Sequence, residues 1–188
     1  MTIILYDFET TGLDPALHDP VQVAAVALEP RTLTPLGHWS ATMRPARPEN
    51  ASAKALEIHG LTLEHLATQA DPVACAREFA GWAKGFGWPL IPCGYNLPFD
   101  ASFMDPWCPW LRRDWSYKTL DVMQLAIAHL WLPGKVADTK LTTVAAHLGI
   151  EDHQAHDAMG DVLATAEVLR RLTGAGKPVH VHAIEGEG

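Results

Sequence analysis

Asp7 and Glu9 stand two apart at the end of Ile3-Ile4-Leu5-Tyr6-Asp7-Phe8-Glu9-Thr10-Thr11-Gly12, a run β-branched and aromatic enough in its first half for a buried strand. Strand side chains alternate faces, so the two carboxylates project together while Tyr6 and Phe8 go the other way. Two acids side by side in a partly buried place repel, and one stays protonated unless a cation or a donor offsets the charge. A hard divalent ion with oxygen ligands is the simplest remedy. The alternative is an edge strand whose polar end has reached solvent, with both acids hydrated.

Four further residues belong to the same question. Asp100 sits in the first turn of an expected helix, where the helix dipole favours negative charge, and Asn96 stands four before it. Alone, these two read as an ordinary N-terminal acid and a plain cap. Asp161 falls in the first turns of an apolar helix, on or near its buried face, and His156 lies just before that helix. An imidazole has an ordinary pKa of about 6.5 and exchanges protons at neutral pH. The alternative for His156 is another surface histidine, since His153 stands three before it.

Several elements must position these groups. Val21 to Leu28 and Leu36 to Met43 read as second and third strands joined by the turn Glu29 to Thr34, which gives an antiparallel meander. Ser52 to Ile58 reads as a short helix stopped by His59-Gly60, with another turn of helix after Thr62. Asp71-Pro72 caps a helix reaching Lys84, with Val73, Ala76, Phe79, Ala80 and Ala83 as its apolar stripe. Pro89 to Tyr95 is a fourth strand, parallel to the first because a helix intervenes. A helix then starts at Asn96 or Leu97. Trp107 to Trp115, broken by Pro106 and Pro109, reads as irregular. Lys118 to Trp131, Leu141 to Leu148 and Asp157 to Leu172 read as helices. Residues 1–172 are expected to form one domain and 173–188 a glycine-rich, acidic, flexible tail.

Composition narrows the classes. An apolar fraction of 48% and a charged fraction of 19% over 188 residues are those of one globular domain. No apolar run is long enough to span a bilayer, and the start lacks the pattern of a signal peptide, so a cytoplasmic location is expected with no membrane partner. Cys75, Cys93 and Cys108 are odd in number and widely spaced, which indicates neither a disulfide framework nor a zinc knuckle. A formal net charge of −8 argues against tight grip on long duplex nucleic acid. It leaves room for a small site where bound cations reverse the local sign.

Taken together, Asp-x-Glu on the first strand, Asn-x-x-x-Asp after the fourth and His-x-x-x-x-Asp opening the last helix resemble the DnaQ-like, or DEDDh, 3′-to-5′ exonuclease family. Thr10-Thr11-Gly12-Leu13, Ile58-His59-Gly60-Leu61-Thr62 and Thr119-Leu120-Asp121 add to the likeness, which runs from Ile3 to about Leu172. The resemblance implies a ribonuclease H-like α/β fold, with a five-stranded mixed sheet whose first three strands are antiparallel and helices on both faces. It implies Asp7, Glu9, Asp100 and Asp161 as metal-binding carboxylates for two Mg2+ or Mn2+ ions, and His156 as general base. It further implies a terminal-nucleotide pocket of Thr10, Thr11, Gly12, Leu13, His59, Asn96 and Phe99, with Leu13 wedging beside the last base and Phe99 stacking under it. Leu13 and Phe99 read equally as core, and His59 as a helix terminator.

The expected activity is metal-dependent hydrolysis at the 3′ ends of single-stranded DNA, frayed duplex ends included, releasing nucleoside 5′-monophosphates. DNA is preferred over RNA because Thr10-Thr11-Gly12 and His59-Gly60 look most like proofreading and repair members. The alternatives are an exoribonuclease trimming short or structured RNA and a catalytically silent binding scaffold. A polymerase or other protein partner is a further expectation. Scattered Lys54, Arg112, Arg113, Lys118, Lys135 and Lys140 are candidate phosphate contacts, and Trp107, Trp110, Trp115 and Trp131 are stacking platforms or core.

Overall fold

The structure, a computed structural model, describes residues 1–150 and 157–175. A five-stranded sheet runs in the order β3-β2-β1-β4-β5. Strand β1 (Thr2–Thr10) lies antiparallel to β2 (Pro20–Leu28), which lies antiparallel to β3 (Pro35–Thr42). On its other side β1 runs parallel to β4 (Leu90–Gly94), which is parallel to the two-residue β5 (Leu120–Asp121). The antiparallel meander and the parallel fourth strand are as the sequence predicts.

Helices cover both faces, which is why β1 is apolar on both sides rather than alternating. Ile4, Tyr6 and Phe8 point into one core with α3 (Pro72–Lys84) and α4 (Leu97–Trp107). Ile3 and Leu5 point into a second core with α5 (Val122–Ala126), α6 (Leu141–His147) and α7 (Ala158–Thr173). By the same alternation Asp7 and Glu9 continue the row that faces α7. The two short helices α1 (Ala53–His59) and α2 (Leu63–Ala67) lie between β3 and α3 in the chain, and Gly60 ends α1 at φ +73°.

Three local readings need correction. The helix expected over Lys118 to Trp131 does not begin until Val122. Leu120 and Asp121 pair with Cys93 and Gly94 instead, and the Asp121 carboxylate accepts from the Met123 N–H, so the capping acid starts the helix later. The last turn of that segment, Ile127–Trp131, is π-helical. Val73 is 51% exposed and outside the buried stripe of α3, where Cys75 joins Ala76, Phe79, Ala80 and Ala83. The α4 helix runs through Pro106 to Trp107, its last turn holding the proline on the exposed side. Among the described residues, no helix is long and apolar enough to cross a membrane.

Candidate active site

Three elements deliver the acids. The end of β1 carries Asp7 and Glu9, and the first turn of α7 carries Asp161. Each offers a carboxylate oxygen, and these oxygens all lie within 4.8 Å of one another. Asp100, on the first turn of α4, is 2% exposed and accepts the Phe8 backbone N–H at Oδ1, 3.0 Å away. It therefore ties α4 to the strand between the two other acids. It is not one of the three that converge, but its charge bears on Asp7.

The electrostatics follow from burial. Asp7 is held well above the usual carboxylate range, first by loss of water and then by the charges of Asp100, Asp161, Glu9 and Asp157. Burial raises Glu9 to about 7, with Asp161 and Asp157 adding to it. Asp100 rises to about 8 because burial outweighs the backbone N–H groups of Phe8 and of Asp100 itself. Such a site with its charges uncompensated is unstable at neutral pH, and the donor set is all oxygen. Its residues fit a small, hard divalent cation.

Sequence reasoning missed one residue here, Gln22, whereas Asp157 stands where the last helix was expected to open. Asp157 caps α7 by accepting the Gly160 N–H at 3.1 Å. Gln22, on β2 directly across from Glu9, accepts the Ala158 N–H at 3.2 Å and donates to Asp157 at 3.4 Å. One amide side chain thus fastens the start of α7, and with it Asp161, to the sheet. The available signal was its being the lone polar residue inside the apolar run Val21 to Leu28. His156, the expected base, lies outside the described residues.

Next to the acids is a cavity of about 130 Å³ lined by Phe8, Glu9, Thr10, Gly12, Leu13, Ala55, Ile58, His59 and Phe99. It gathers five of the seven expected pocket residues and adds Ala55 and Ile58 from α1. Leu13 is 81% exposed at its rim, so it is not core. The His59 ring accepts the Leu61 N–H at Nδ1, 3.1 Å, which fixes its orientation at the end of α1. Thr11 and Asn96 stand outside the lining. Thr11 is fully buried, exchanging two 2.9 Å hydrogen bonds with the Asp19 backbone and accepting from the Ser52 N–H at 2.8 Å. Asn96 is the exposed, left-handed N-cap of α4 (φ +62°), and its N–H donates to Asp121.

The loop between β1 and β2 is held from below by a second unexpected pair. Asp19, buried, receives the Arg47 backbone N–H and its guanidinium, which also donates to the carbonyls of Ala16 and His18. Gly12 packs closely under His18: a Cβ there would fall 2.3 Å from its ring, which would have to move aside.

Comparison with known proteins decides the family: the RNase_T exonuclease model matches residues 4–169. The chain belongs to this exonuclease family. This DnaQ-like domain is 28% identical, over 91% of its length, to a PolC-type DNA polymerase III of Thermotoga maritima, and spans 12% of that protein. It is 29% identical to a DNA polymerase III subunit epsilon-like protein of Rhodobacter capsulatus, over 92% of the chain and 24% of the relative. To the DNA polymerase III subunit epsilon of Haemophilus influenzae it is also 29% identical, over 91% of the chain and 67% of the relative. In fold it is similar to E. coli Exonuclease I in complex with a dT13 oligonucleotide, with a TM-score of 0.74 and 23% identity over 92% of this chain and 41% of that one. The DnaQ-like exonuclease domain thus has the ribonuclease H-like architecture that the motifs implied.

Proposed function

We propose that this chain is a metal-dependent 3′-to-5′ exonuclease acting on single-stranded DNA ends and releasing nucleoside 5′-monophosphates. The observation that carries the reading is Glu9, which belongs at once to the trio of converging carboxylates and to the lining of the adjacent cavity. A group held in that cavity is presented directly to the acids. Relatives named as DNA polymerase subunits, and a similar fold crystallised with dT13, support DNA as substrate.

In this reading Asp7, Glu9 and Asp161 would hold Mg2+ or Mn2+, and Asp100 would support a second ion. When bound, two such ions activate a water and stabilise the leaving 3′-oxygen. The chain's own contributions are three. His156 takes the proton of the attacking water, a role worth about 10²- to 10⁴-fold. Phe99 and Leu13 hold the last base from its face and its edge. The backbone of Thr10 to Gly12, set by the 2.7 Å bond from the Thr10 hydroxyl to the Gly12 carbonyl, borders the sugar and phosphate. Residues 1–172 form the catalytic unit, cytoplasmic, and a polymerase is the fitting partner given the relatives' names.

The test is a 3′-end assay on DNA and RNA oligomers of equal sequence, with magnesium or manganese, with chelator, and with Asp7→Ala. Shortening from the 3′ end of DNA, abolished by chelator and by the substitution, is expected. Full activity of Asp7→Ala sinks the assignment, and cleavage of RNA alone reverses the substrate.

A further inference from the structure

The chain has a net charge of −8, yet at the end of the sheet remote from the carboxylates cations gather around exposed rings. Trp88 and Tyr117 are 71% and 91% exposed. Exposed aromatic surface grouped with charge marks a recognition site more often than a lone apolar side chain does. Trp88 Nε1 donates to the Arg113 carbonyl at 3.5 Å, which sets this ring beside the 113–118 segment. That segment is itself fastened to the start of β4, by Leu90 N–H to Asp114 O at 2.9 Å and Ser116 N–H to Leu90 O at 2.6 Å. The Lys118 ammonium lies 5.9 Å from the centre of the Tyr117 ring, and the Arg77 guanidinium 5.0 Å from that of Trp110.

Two neighbouring cations are offset, Lys84 by Asp114 at 3.2 Å and Arg112 by Asp105 at 3.4 Å. The positive field of the patch therefore rests on Arg77, Arg113 and Lys118. Helix α4 connects this patch to the cavity: Phe99 in its first turn lines the cavity, and Trp107 closes its last turn. At 1.5 Å per residue the helix is about 16 Å long. Trp110 follows three residues beyond it.

We infer that Trp88, Trp110 and Tyr117, with Arg77, Arg113 and Lys118, form a second contact for single-stranded nucleic acid, taken up by nucleotides upstream of the 3′ end held at the cavity. The inference rests on the exonuclease reading for its direction of travel. Unpaired bases match the surface because only they present a free face to an exposed ring, and the cations meet the phosphates between them. Duplex, with its bases stacked inward, has no use for the rings.

The experiment compares the wild type with Trp88→Ala/Tyr117→Ala and with Arg113→Gln/Lys118→Gln. Binding of a single strand of about 16 nucleotides and of one of about three is measured by fluorescence anisotropy in calcium, alongside hydrolysis of both in magnesium. The expected result for the long strand is affinity lower by about five-fold or more for each ring removed. In the charge variant the slope of log affinity against log salt falls by about 1.4, because two phosphates are no longer neutralised. Both variants hydrolyse the short strand at the wild-type rate, which also shows that they fold. Long-strand affinity within two-fold of wild type in both variants overturns the proposal, as does equal binding of poly-glutamate, which marks a face for acidic protein segments. A wild type that binds the long strand through this face but cuts nothing would defeat the exonuclease reading while leaving the contact standing.

Discussion

At Asp7, Glu9 and Asp100 the protein keeps acids largely withdrawn from water, and their raised pKa values have a thermodynamic consequence. Below about pH 3 these carboxyls are protonated folded or unfolded, and the site costs nothing electrostatically. As pH rises the unfolded chain gives up protons that the folded one retains, so stability falls until the folded values, about 7 for Glu9 and about 8 for Asp100, are passed. For Glu9 alone the loss is about 3 kcal/mol, on the order of 10 °C in melting temperature. We predict that protein in chelator melts lower at pH 8 than at pH 5, that magnesium recovers the difference, and that Asp7→Asn raises the pH 8 melting point while abolishing activity. A chelated protein equally stable at both pH values would contradict the burial of these charges. Gly12 makes a different demand. Gly12→Ala is expected to raise KM through collision with His18, and His18→Ala in the same chain to restore it; failure of that rescue would show the ring is not what the Cβ meets.

Among elements, α7 shows how the site is assembled from distant pieces. Gln22 joins β2 to its first turn, so Gln22→Ala should shift the magnesium midpoint of activity upward several-fold and lower stability by about 1 kcal/mol, with little change in KM. An unchanged metal titration would reduce Gln22 to a packing residue. The same contact shows what a sequence displays and what it hides. The carboxylates of β1 were legible because they interrupt a strand too apolar to need them, and α3 because Asp71-Pro72 is a start signal in itself. β5 was not: two residues of pairing leave no periodicity to read, and the following helix absorbed them. Gln22 and Arg47 each act through partners far along the chain: Gln22 shows only as a polar break in an apolar strand, and nothing local marks Arg47. The cavity residues were found by family likeness and not by pattern, which is why Ala55 and Ile58 were overlooked while Thr11, a backbone tie, was included.

The whole molecule is acidic, and among the described residues a cluster of acids gathers at the carboxyl ends of its parallel strands, where open α/β sheets bind ligands. A polyanion approaches such a cluster only after cations have inverted its sign. Calcium, too large for the tight octahedral geometry of magnesium, should therefore raise affinity for a short single strand by at least about ten-fold over chelator without supporting turnover. Equal affinity in chelator would mean that the substrate is gripped elsewhere. The Arg47 anchor bears on how that substrate enters. Asp19 and the carbonyls of Ala16 and His18 are all tethered to one guanidinium, which braces the base of the β1–β2 loop beneath the 81% exposed Leu13. In the proposed reading Leu13 is a latch against the last base, carried on the post that Arg47 makes. Cutting the post with Arg47→Ala should let a protease nick the chain between residues 13 and 19, and a bound oligonucleotide should slow that nicking by holding the latch shut.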